Sequence, residues 1–147
     1  MTRSSSEEGP QASSGDFNAL PHSHEAKYSR HALIVDDDPD FCVLMREMLK
    51  WRGFDAAVAY SALDALSAIG EIQPEFMLVD IQMPEVDGLQ LIRKIRSDDS
   101  FAKIPIIVIT ATALRDMMLA SREAGADFFL TKPISYFELD RTIDRIM

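Results

Sequence analysis

Short runs that are apolar at every position alternate along this chain with stretches whose apolar residues recur every three or four positions. Ala32-Leu33-Ile34-Val35 is the first run, and it breaks off into three aspartates. After Pro39, the residues Phe41, Leu44, Met45, Met48 and Leu49 keep the i, i+3, i+4, i+7, i+8 spacing of an amphipathic helix. Gly53 is placed to end it. A weaker strand is predicted near Asp55 to Ala59, then a helix with Ser61 as its N-cap. Phe76-Met77-Leu78-Val79 again stops on an aspartate, Asp80, and a helix from about Gly88 to Arg96 puts Leu89, Ile92 and Ile95 on one face. The β-branched run Ile106-Ile107-Val108-Ile109 ends on Thr110. A helix over Leu114 to Ala124 closing at Gly125, a short strand Phe128-Phe129-Leu130, and a final helix over Ile134 to Met147 complete the pattern.

Five strands, each followed by a helix, predict an α/β fold with a doubly wound five-stranded parallel sheet covered on both faces. Strands that are apolar throughout, rather than alternating, support the same reading. In such sheets ligands bind beyond the carboxyl ends of the strands. The residues delivered there are Asp36 and Asp37, Asp80, Thr110 and Lys132.

Residues 1–27 break the pattern. Serines, glycines and prolines dominate, with scattered apolar residues such as Phe17 and Leu20, so the segment reads as a disordered tail before a domain spanning 28–147. His22 and His24, with His31 further on, lack a partnering carboxylate cage and read as solvated side chains rather than metal ligands. At 147 residues, 47% of them hydrophobic, the chain has room for one real core. A single cysteine, Cys42, removes any disulfide framework and fits a reducing compartment. The net charge of -9 argues against a general polyanion-binding surface, so no nucleic-acid partner is expected. No apolar run approaches the roughly 20 residues that cross a bilayer, and the N-terminus lacks a signal-peptide core. The expectation is a cytoplasmic chain with no membrane contact.

The strand ends together carry three carboxylates, one hydroxyl and one ammonium group. Three carboxylates gathered at one rim repel one another and call for a counter-charge. Oxygen-only ligands favour a hard divalent cation such as Mg2+, with Mn2+ as a substitute, over zinc or copper. A cation, a lysine, a hydroxyl and a spare carboxylate suit phosphoryl transfer, in which an aspartate can be the nucleophile on phosphorus.

Four segments in order carry a family resemblance: Leu33-Ile34-Val35-Asp36-Asp37; Leu78 through Gly88, with Asp80, Met83-Pro84 and Asp87-Gly88; Ile109-Thr110-Ala111; and Thr131-Lys132-Pro133. The stretch from Ser29 to Met147 resembles the receiver domain of two-component response regulators, the CheY-like fold. That resemblance implies a (βα)5 domain of strand order 2-1-3-4-5. It implies Asp80 as phospho-acceptor, with Mg2+ held by Asp36, Asp37, Asp80 and the backbone carbonyl of Gln82. Thr110 and Lys132 would contact the phosphoryl group, Phe129 would be the switch aromatic, and the Lys132-Pro133 bond would be cis. The donor would be a histidine kinase or histidine phosphotransfer protein. The response would appear on the face of the fourth helix, fifth strand and fifth helix, which meets a downstream protein. The chain ends where the final helix ends, so no output domain is expected within it.

Plainer readings accompany each residue. Asp38 and Asp40 suit a turn and a cap, and Asp87-Gly88 a turn and a helix start. Met117, Met118 and Leu119 are too many consecutive apolar residues for one buried stripe, so some should be exposed. Phe129 replaces the tyrosine common in the family and brings no hydroxyl to the surface. Gln82 and Thr112 flank the acceptor and are expected to influence attack by water. Two other classes fit less well. An aspartate-nucleophile phosphatase needs a second carboxylate where Gln82 stands, and a flavin phosphate would be repelled by Asp36-Asp37-Asp38. A receiver fold used only as a binding module would not need the full set of site residues.

Overall fold

The computed structural model describes residues 30–83 and 87–147. The tail expected over 1–27 and the Pro84–Val86 part of the loop after Asp80 lie outside the described residues. The elements are β1 (Arg30–Val35), α1 (Pro39–Trp51), β2 (Phe54–Ala59), α2 (Ala62–Ile72), β3 (Phe76–Asp80), α3 (Gly88–Arg96), β4 (Ile106–Thr110), α4 (Arg115–Ala124), β5 (Phe128–Thr131) and α5 (Tyr136–Ile146). The sheet order is β2-β1-β3-β4-β5, and every pair is parallel.

Alternation along each strand splits the core in two. Leu33, Val35, Met77, Val79, Ile106 and Val108 face Ile69, Leu91, Ile92 and Ile95 on one side. Ala32, Ile34, Phe76, Leu78, Ile107 and Ile109 face Met45, Leu49, Leu139 and Ile143 on the other. Strands β3 and β4 are buried at every position, which is why their sequences show no polar alternation.

Local chemistry sets the helix ends. Asp38 caps α1, accepting from the Asp40 and Phe41 N–H groups, with Pro39 at the first helical position. Ser61 caps α2, and Asp87 caps α3 by accepting from the Gln90 N–H. Gly53 (φ 88°) and Gly125 (φ 120°) take the positive-φ conformation just after α1 and α4. The final helix starts at Tyr136, two residues later than its apolar pattern predicts. Ser135 and Glu138 form a reciprocal capping box there, and Ile134 is a buried anchor before the helix rather than part of it.

Candidate functional site

The carboxyl ends of the strands bring the acidic and basic residues together. Asp36 directly follows β1 and is fully buried; Asp80 is the last residue of β3 and is also buried; Asp37 is exposed. Each of the three offers a carboxylate oxygen within 4.8 Å of the others. Lys132, just beyond β5 and preceding a cis peptide bond to Pro133, reaches over this group. Its Nζ lies 2.8 Å from Asp36 Oδ2 and 3.5 Å from Asp80 Oδ2. From below, the ring of Phe41 sits 4.2 Å from the same ammonium.

Backbone N–H groups fix the carboxylates. Asp38 N–H donates to Asp36 Oδ1 at 2.9 Å, and Gln82 N–H donates to Asp80 Oδ1 at 2.9 Å. Gly88 lets α3 start against the backbone of Asp80 and Ile81: a β-carbon there would lie 2.6 Å from Ile81 Cα. Thr110, at the end of β4, is buried. Its hydroxyl donates to Gln82 Oε1 at 2.7 Å and accepts from Thr112 N–H at 3.3 Å.

Charge at this rim is unbalanced. Burial pushes the Asp80 carboxyl above its ordinary range, and neighbouring Asp36 adds to the rise, against the opposing Gln82 N–H and Lys132. Burial pulls the Lys132 ammonium down, but Asp36 and Asp80 outweigh it and the net shift is upward. Cys42, whose thiol donates to the Asp36 carbonyl at 3.4 Å, is pushed up to about 12 by burial and then by the nearby aspartates.

The residues fit a hard divalent cation. Asp36 Oδ2 is buried and takes no well-directed hydrogen bond despite its ion-pair distance to Lys132, which leaves a lone pair free. Three carboxylates face one ammonium, and every donor is oxygen.

Other sequence candidates fall elsewhere. Phe129 is half-buried in β5 and, like Met117 and Ala126, packs against the core cluster that includes Val108 and Ala124. Met118 and Leu119 are exposed while Met117 packs inward. Asp38 serves as a cap, and Trp51 is exposed at the far end of α1, edge-on to Tyr136. Among the described residues no helix is long and apolar enough to cross a membrane. Sequence reasoning missed two features of the rim. Phe41 reads as one more apolar position of α1, and nothing local marks it as the floor beneath Lys132. The Gln82 side chain reaches Thr110 across 28 positions of sequence, and no motif announces that bond.

Comparison with known proteins agrees with the fold and shows a family. The family model for the Response regulator receiver domain matches residues 32–144. The polar-differentiation response regulator DivK of Brucella anthropi is 32% identical over 114 residues, covering 78% of this chain and 93% of DivK. The transcriptional regulatory protein TrcR of Mycobacterium tuberculosis is 33% identical over 121 residues, and there the chain spans only 46% of the relative's length. A CheY-like response regulator receiver domain protein from Methanospirillum hungatei superposes with a TM-score of 0.73 at 27% identity, covering 79% of this chain and 91% of that one.

Proposed function

The chain belongs to the response regulator receiver domain family of two-component signalling, and on that premise we propose that it is a phospho-receiver whose acceptor is Asp80. The observation that carries the reading is the rim itself: Asp36, Asp37 and Asp80 converge there, with Lys132 bridging two of them. In this reading the P–N bond of a phosphohistidine breaks as a carboxylate oxygen of Asp80 bonds to phosphorus, and the imidazole departs. The donor is a histidine kinase or histidine phosphotransfer protein in the cytoplasm.

Asp36, Asp37, Asp80 and the Gln82 carbonyl would hold Mg2+, which neutralises phosphoryl charge when bound. This chain's residues do the rest. The Gln82 N–H orients the Asp80 carboxylate. Lys132, placed between Asp36 and Asp80, is positioned to transfer its ion pair to a new phosphoryl oxygen. Thr110, one residue beyond the Ile109 that pairs with Asp80, is near enough in the sheet to donate to another. Drawing Thr110 and Lys132 toward the added charge would shift Phe129, and with it the α4-β5-α5 face that meets a downstream protein. Hydrolysis of the acyl phosphate resets the state, with Gln82 and Thr112 flanking the path of water.

Intact mass after brief incubation with acetyl phosphate tests the reading. A single phosphoryl adduct that requires Mg2+ and is absent from Asp80→Asn is the expected result. An unmodified wild-type chain, together with no binding of beryllofluoride, would leave a phosphorylation-independent binding module instead.

A further inference from the structure

Thr110 has one hydroxyl proton, and in this structure that proton is already committed. Its Oγ1 donates to Gln82 Oε1 at 2.7 Å, a well-formed O–H···O bond, while one of its lone pairs takes the Thr112 N–H. A hydroxyl cannot donate to an amide oxygen and to a phosphoryl oxygen at once. The partner amide belongs to an exposed residue, but one whose backbone is held in place. Its own backbone N–H is fixed on Asp80 Oδ1 at 2.9 Å, so the group that occupies Thr110 is anchored on the acceptor. We propose that the Gln82 side chain is a catch that holds the Thr110 hydroxyl away from Asp80 until a phosphoryl oxygen outcompetes it.

This rests on the reading of Asp80 as phospho-acceptor and adds a positioning residue to it. Gln82 acts through Thr110, setting how readily the switch hydroxyl is released rather than touching the phosphoryl group. The competition is uneven in the needed direction, because a charged phosphoryl oxygen is the stronger acceptor. The catch therefore opens on phosphorylation and recloses when the phosphoryl group is lost. It also makes the unphosphorylated arrangement more stable than it would be with an apolar side chain at the same place.

The test is calorimetric binding of beryllofluoride in Mg2+ to the full chain, a probe that occupies the acceptor without turnover. Gln82→Met keeps the length and the backbone carbonyl of residue 82 but removes the acceptor oxygen. It should bind roughly 3–10-fold more tightly than wild type, the size of one net hydrogen bond. Thr110→Val has no hydroxyl to hold, so adding Gln82→Met to it should change affinity by less than about 2-fold. Thr110→Ser keeps the hydroxyl and should restore the full effect of Gln82→Met. A gain that persists unchanged in Thr110→Val would mean that Gln82 only obstructs access, and the catch would be wrong. Unchanged or weaker binding by Gln82→Met would also overturn it. Failure of the wild-type chain to bind beryllofluoride at all would remove the phospho-acceptor reading first, and the catch with it.

Discussion

Two polar clusters sit at opposite ends of the same sheet, and they are built on opposite terms. At the amino ends of β4 and β5, the Arg96 guanidinium donates to the carbonyls of Gly125, Ala102 and Ile104 and to Asp127 Oδ2, at 2.7 to 3.0 Å. Asp127 Oδ2 also accepts the Ile106 N–H at 2.9 Å. Every charge there has its counterpart and nearly every donor its acceptor. At the carboxyl ends, three carboxylates converge beside one ammonium that pairs with Asp36 and Asp80, a buried Asp36 oxygen lacks a directed hydrogen bond, and burial pushes the Asp80 carboxyl above its ordinary range. A satisfied cluster fixes the fold. An unsatisfied one stores a capacity to bind whatever would complete it.

Removing the centre of the satisfied cluster should be the costlier change. Arg96→Met leaves three carbonyls without this donor and Asp127 without its cation, holding only the Ile106 N–H, and a loss of about 3 kcal/mol is expected in urea unfolding. Magnesium should not recover it. Removing the ammonium of the unsatisfied cluster is milder and conditional. Lys132→Met leaves Asp36 and Asp80 facing each other, so a loss of about 2 kcal/mol is expected in chelator. Saturating Mg2+ should return most of that loss, because a bound cation takes over the neutralisation and stabilises only the folded form. Equal losses with and without Mg2+ would show Lys132 to be as structural as Arg96, and the contrast between the two ends would collapse.

A third change should raise stability. The folded-state pKa of Asp80 is lifted above its unfolded value by burial and by Asp36. The folded chain therefore holds this proton to higher pH than the unfolded one, so the stability it contributes at low pH is lost as pH rises through the lifted value. Without divalent cation, keeping this carboxylate ionised in the folded chain is therefore a net cost. Asp80→Asn should melt a few degrees higher than wild type in chelator and show a weaker fall in stability with rising pH. A lower melting temperature would mean that the rim is satisfied after all.

The same contrast explains what could be read from sequence. Apolar runs that stop on Asp36, Asp80 and Thr110 mark both the strands and the edge where a ligand binds, because burial and chemistry change over at one residue. The start of α5 was legible too, in Ser135 and Glu138 three apart, but the apolar pattern reaching back to Ile134 obscures it. Arg96 shows no such signal. It looks like any basic residue in the last turn of a helix, and its partners come from two loops that the chain brings together only by folding. Gln82 is similar: its bond to Thr110 depends on the register of β3 beside β4. Residues marked by a strand-end motif can be read in advance even where they meet across the sheet, while Arg96 and Gln82, whose partners no motif announces, show their roles only in the fold.

Cys42 gives the smallest effect and tests where the unsatisfied rim gives way to ordinary core. It is buried one turn into α1, and its thiol donates to the carbonyl of Asp36, so it lies directly beneath the acidic cluster. Burial raises its pKa to about 12 and the aspartates above it push the same way. At pH 8 the side chain therefore stays a thiol, whereas the nucleophile in alkylation is the thiolate. Native protein should resist iodoacetamide for hours at pH 8 and label within minutes in denaturant. Divalent cation should leave native labelling unchanged, since access is already closed by packing. If labelling is fast in chelator and slowed by Mg2+, the strain at the rim reaches into the helix below it, and the two ends of the sheet differ in mobility as well as in charge.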